Sequence, residues 1–298
     1  NFGWGNAGVS YFDSETDAVV DDLFQPANGE GLGDVCQSMR LFNGRAYVVV
    51  NNSNKVEVVE PNTFGRIATI PGFTSPRYFL PVSNGKAYVT DLYANSISVV
   101  DLGSNTIVGG IACSGWTEEL VLAYGKAFVT NKTRNYVYVI DTATDHVVDS
   151  IVVSRGGNSI VEDANGKLWV ACSGGGGTQP ALYRINPIAL EVEATFAFGS
   201  SSDSPWRLTT NGNHSMLYFL NNHVYRMAIT DDVLPTSPFI ATAGRNLYGL
   251  GVNPNNGTVY VADAIDYTQR GVVFRYGPDG GAIDEFLAGR IPSGFCFN

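Results

Sequence analysis

Only three histidines occur in the 298 residues, His146, His214 and His223, and no two share metal-ligand spacing. That shortage argues against a histidine-based metal or acid–base centre. The four cysteines, Cys36, Cys113, Cys172 and Cys296, include no C-x-x-C pair, so zinc and thioredoxin-type redox sites have no support. They are read as buried free thiols. Basic residues are also scarce, 18 Lys and Arg against 28 Asp and Glu, for a net charge of -10. Nucleic acid is excluded as a partner on that ground, because phosphate binding needs Lys and Arg to displace counterions. An anionic membrane surface is disfavoured for the same reason. No run of about 18 apolar residues exists to span a bilayer as a helix. Helical 3.6-residue periodicity is missing too.

What the chain does contain is repetition. Gly44, Gly85, Gly125 and Gly166 follow one another at intervals of 41, 40 and 41 residues. Around them recur NGRAYVVV, NGKAYVTD, YGKAFVTN and NGKLWVAC, with the later, looser copies MLYFL and NGTVYVAD. The Asn-Gly pairs mark tight turns, since glycine tolerates positive φ. The second segment of each copy, such as Ala87-Tyr88-Val89, is apolar on both faces, as a strand enclosed between two sheets should be. A third segment such as Val137–Ile140 and a more mixed fourth complete the copy. Four strands in about 40 residues is the arithmetic of a β-propeller blade.

Six copies are complete. The expected fold is all-β, a single domain over residues 1–298, forming a seven-bladed β-propeller of four-stranded blades. The seventh blade is expected to be shared between the termini, with PSGFCFN as its innermost strand and GVSYFD and AVVDDLF as outer ones.

The repeat register also separates two faces. Turns at Asn43-Gly44, Asn84-Gly85 and Asn165-Gly166 are tight. Longer connections, at 50–54, 90–95, 130–135, 173–180 and 263–271, share the opposite face with the crossings between blades, and long loops are where function concentrates. The crossings place Arg77, Tyr78, Trp116, Asn158, Trp206, Arg207 and Tyr248 near the ring axis. Trp4, Tyr93, Arg134 and Tyr267 join them from the loops. Rings with polar edges suit a large, partly polar ligand, and these eleven are the candidate ligand-binding residues. No catalytic set, no metal set and no cofactor is expected. Glu118 with Asn158 is the one pair that could hold a hard cation through oxygen. The Gly174–Gly177 run, followed by no helix, is read as a loop tip rather than a phosphate loop.

The segments Tyr88-Val89-Thr90-Asp91, Phe128-Val129-Thr130-Asn131 and Tyr260-Val261-Ala262-Asp263 resemble the YVTN-type propellers, often labelled surface-layer proteins. The opening NFGWGN before SYFD, with ANGEGLGD at 27–34, resembles exported propellers of gut Bacteroidetes, among them surface lipoproteins that capture cobalamin above an outer-membrane transporter. The resemblance implies a non-enzymatic, cell-surface protein at the outer membrane. Its ligand would be a corrinoid and its partner a TonB-dependent transporter. A structural or adhesive surface protein binding protein or glycan, and a cation-dependent lactonase-type enzyme, are the alternatives. With histidine so scarce, corrinoid binding is expected to be insensitive to pH between about 5.5 and 8.

Overall fold

The computed structural model describes residues 3–297. Its regular structure is almost wholly β, and the strands run as antiparallel meanders stacked around an axis. Five sheets have four strands: residues 36–71, 76–112, 117–152, 157–197 and 247–290, here blades 1, 2, 3, 4 and 6. Blade 5 has three strands, Trp206–Thr210, Met216–Asn221 and His223–Ala228. Pro235 and Pro238 interrupt the stretch that follows, and all that remains there is a bridge between Val224 and Ile240.

Two expectations are corrected. Among the described residues there are six blades, not seven, and no blade is shared between the termini. The N-terminal residues form only a two-stranded hairpin, Tyr11–Phe12 with Val19–Val20. Residues 292–297 carry no strand. Pro292 lacks an amide hydrogen, and the two phenylalanines bury their rings instead of pairing their backbone. Phe295 and Phe297 stack on one another at 6.4 Å and lie against Tyr260 of blade 6, while Phe12 of the hairpin stacks on Phe286 at 4.2 Å. The termini therefore close against blade 6 through aromatic packing rather than a hydrogen-bonded ladder. Asn298, the last residue of the expected strand, and Asn1 and Phe2 of the opening motif lie outside the described residues.

Between blades the core is apolar. Second strands are enclosed along nearly their whole length, as in Leu168–Cys172, where every residue is buried. Tyr47 of blade 1 stacks on Phe79 of blade 2 at 4.2 Å, and Trp169 of blade 4 packs with blade 5 residues Phe219 and Met227. Each such side chain contributes about 1.5–3 kcal/mol through burial alone. All four cysteines are free. Burial pushes the thiols of Cys36 and Cys113 up to about 12, leaving them unreactive as nucleophiles. Cys296, by contrast, is exposed.

The residues that end the second strands explain the recurring motif. Asp91 accepts backbone hydrogens from Thr74 and Ser75 in the incoming crossing, and from Tyr93 and Ala94 in its own loop. Asn131 likewise accepts from Thr133 and Arg134 and donates to the Ser114 carbonyl. Asp263 ties Asn246 to Ile265 in the same way. One short polar side chain thus fastens two connections on the same face.

Candidate functional site

Every innermost strand breaks its pairing register near its start. The shifts fall at Cys36/Ser38, Pro76/Phe79, Thr117/Leu120, Gly157/Ser159, Trp206/Thr209 and Leu247/Gly249. A bulge leaves an extra residue unpaired and re-aims its side chain, here toward the axis. The threonine of the strand beside it supports the bulge. Thr90 Oγ1 accepts from the Tyr78 amide at 3.0 Å, and Thr130 Oγ1 donates to the Glu119 carbonyl at 2.9 Å. Arg207 goes further, holding a left-handed φ of 53°. That conformation strains a residue with a Cβ and is retained where the surroundings over-determine it.

These bulges deliver a polar network to the axis. Arg77 makes two parallel bonds to Glu118, Nε to Oε2 at 2.7 Å and Nη2 to Oε1 at 2.6 Å, and donates Nη1 to Gln37 Oε1 at 2.6 Å. Trp116 Nε1 donates to the same Glu118 carboxylate at 2.8 Å. Across the ring, Arg207 Nη1 reaches the Tyr78 hydroxyl at 3.4 Å, joining blade 5 to blade 2. Arg207 Nε donates to the Tyr248 carbonyl at 3.1 Å. Glu119 sits among Tyr78, Arg207, Glu118 and the Ile160 amide. It is half-buried, facing the axis with protein around it. Loss of water raises its pKa to about 7, Arg207 and the Ile160 hydrogen bond opposing the rise and Glu118 adding to it. Glu119 is thus a carboxyl at this face raised into the pH range over which the sequence predicts insensitive binding.

Above the network lies a layer of rings and cations. Trp116 is flanked by Arg77, whose Cζ is 5.4 Å from the ring centroid, and by Lys132, whose Nζ is 4.5 Å away. Arg207 lies 5.1 Å from the Trp206 ring and 5.9 Å from that of Tyr248. Trp206, Tyr248 and Tyr267 make successive edge contacts at 5.4 and 5.8 Å. Such edge-to-face and cation–ring contacts hold the rings in place.

Seven of the sequence candidates therefore converge: Arg77, Tyr78, Trp116, Trp206, Arg207, Tyr248 and Tyr267. Asn158 lies on the same ring but its side chain is used internally. Its amide donates to the carbonyls of Gly156 and Pro205, and its oxygen accepts from Ser159. Trp4 and Tyr93 are 76% and 70% exposed, and Arg134 is exposed, so these three stand away from the packed cluster. Glu118 is taken by Arg77 and Trp116, and among the described residues no group of three His, Cys, Asp or Glu is disposed to hold a metal. Two members escaped sequence reasoning. Gln37 stands 40 residues before Arg77, a signal the repeat carried. Lys132 lies in a loop where the repeat imposes no residue type.

Known proteins extend this picture. A quinoprotein alcohol dehydrogenase-like protein from Bacteroides thetaiotaomicron superimposes with a TM-score of 0.76 at 17% identity, covering 96% of this chain and 75% of the other. Hydrazine synthase from Kuenenia stuttgartiensis superimposes with a TM-score of 0.67 at 15% identity, covering 84% and 85%. At such identities the likeness is one of fold alone. No curated protein sequence matches significantly. The family model that does match spans residues 1–273, and the chain belongs to the family described as Domain of unknown function (DUF5074).

Proposed function

We propose that this propeller is a non-enzymatic capture protein that holds a corrinoid on its axial aromatic face, at the cell surface, for an outer-membrane TonB-dependent transporter. The observation that carries the reading is the cluster of Trp116, Trp206, Tyr248 and Tyr267 around axial arginines. A flat macrocycle fringed with amides needs rings for its body and fixed donors and acceptors for its edge. The polar network beneath is already ordered by its own hydrogen bonds, so little entropy remains to be lost on binding. The N-terminal resemblance suggests the choice of ligand class. A few well-placed anchors suffice, because affinity follows hot spots rather than area.

Equilibrium dialysis against cyanocobalamin and cobinamide, read by visible absorbance, tests the proposal. Wild-type protein should retain both. Trp116→Ala and Trp206→Ala should lose at least about tenfold in affinity with an unchanged circular-dichroism spectrum. Asn84→Ala and Asn165→Ala, in turns on the opposite face, should bind as wild type. Absence of retention by the wild-type protein would refute the reading.

A further inference from the structure

We infer that the same face contains an anion-reading subsite, formed by Lys132 and Arg207, that selects ligands carrying a carboxylate or phosphate beside a flat body. The inference rests on the face being a ligand site and adds the chemical class of the group it reads.

Three cations converge there, Arg77, Lys132 and Arg207, and they differ in what they touch. Arg77 is fully engaged by Glu118 and Gln37. Lys132 Nζ has Trp116 at 4.5 Å, yet neither it nor Arg207 forms an ion pair among the described residues. Arg207 donates Nε and Nη1 to the Tyr248 carbonyl and the Tyr78 hydroxyl, both neutral acceptors, and among the described residues Nη2 donates no hydrogen bond. The nearby Glu119 carboxyl makes no ion pair with either among the described residues, and burial raises its pKa to about 7, so it is partly protonated near neutral pH.

This is an unusual arrangement for a chain of net charge -10. Half-buried Lys132 is also held at a cost. Burial pulls its ammonium below the usual lysine range, with Arg77 and Arg207 adding to the effect and Glu118 opposing it. An arriving anion would relieve that cost, since charge-assisted hydrogen bonds strengthen where water is partly excluded. The adjoining Trp116 and Trp206 rings, half-buried and with these cations against their faces, would border the rest of the ligand.

Equilibrium dialysis of the full chain with three probes of one body isolates the charge: 2-naphthoate, 2-naphthyl phosphate and neutral 2-naphthamide. At least one anion should bind about tenfold tighter than the amide at low salt, and which one leads identifies the preferred oxyanion. Raising salt should weaken only the anions. Lys132→Met should remove most of the advantage and leave the amide unchanged. Because Lys132 Nζ makes no hydrogen bond among the described residues, this variant should keep the fold, checked by circular dichroism; Arg207→Gln, whose side chain ties two strands, is the supporting one. Equal binding of all three probes overturns the inference, as does an anion advantage that survives Lys132→Met. Corrinoid dialysed in parallel separates the two claims. If it is retained while the anions show no advantage, the subsite falls and the capture reading stands. If nothing binds, both fall.

Discussion

Replacing Glu118 by glutamine should cost this propeller about 3 kcal/mol, because it breaks the buried ion pair at the axis while leaving its partner in place. The geometry sets that figure. Arg77 and Glu118 side chains are 14% and 5% exposed, and two parallel bonds of 2.6 and 2.7 Å join them. Removing one charge from a buried pair typically costs about 3–5 kcal/mol, since the remaining ion is desolvated without compensation. Glutamine keeps one acceptor oxygen for Arg77, and Gln37 still accepts from Nη1, which places the expectation at the lower end. It also weakens the bond from Trp116 Nε1, whose acceptor was charged. In melting temperature, about 2 °C per kcal/mol for a chain of this size gives a drop of about 6 °C. Urea unfolding followed by tryptophan fluorescence is the assay. The double variant Arg77→Met with Glu118→Met should recover much of the loss, because two apolar groups of similar volume leave no orphaned charge. A Glu118→Gln protein within about 0.5 kcal/mol of wild type would refute the reasoning. So would a double variant as unstable as the sum of its single changes.

Three other outcomes are expected. Glu119 has a pKa raised to about 7 in the folded state, so the native protein binds its proton more tightly than the unfolded chain does. Its contribution to stability is present below about pH 4.5 and lost as pH rises through about 7; relative to Glu119→Gln, the wild type should lose up to about 3 kcal/mol over that window, read from urea midpoints at several pH values. Thr90→Val, at a buried position, leaves the half-buried Tyr78 amide without its acceptor and should cost about 1–3 kcal/mol, whereas the exposed Thr133→Val should cost less. Gly212→Ala should destabilise by about 3 kcal/mol or prevent folding, because a Cβ there would meet the Pro254 carbonyl oxygen at 1.9 Å, and backbone cannot step aside as a flexible side chain would; a normal thermal melt would contradict it.

The blade architecture was legible because its determinants are local. Turns such as Asn43-Gly44, where both residues take positive φ, and enclosed strands such as Leu168–Cys172 leave periodic marks in the sequence. The number of blades was not legible in the same way. Whether residues 292–297 pair as a strand depends on what the rings of Phe295 and Phe297 find to pack on, and Tyr260 is 35 residues or more away in sequence. The missing fourth strand of blade 5 was foreshadowed by Pro235 and Pro238. At the site, register alone brought Arg77, Tyr78, Trp116, Trp206, Arg207 and Tyr248 to one ring. It could not show that Asn158 spends its amide on backbone carbonyls, or that Trp4 and Tyr93 stand clear of the packed rings. Nor does any sequence signal report the left-handed turn at Arg207, which is imposed by tertiary contacts.

The repeated irregularity at the start of each innermost strand has a chemical consequence. Residues of a regular strand answer to two masters, the ladder on their edges and the core on their faces, and few can change without loss. A residue released by a bulge answers to neither. In this molecule Gln37, Tyr78, Glu119 and Arg207 stand at such places, and they are as unlike one another as amide, phenol, carboxyl and guanidinium. The scaffold behaves as a keyboard: one recurring irregularity in the frame presents four different functional groups to the same axis.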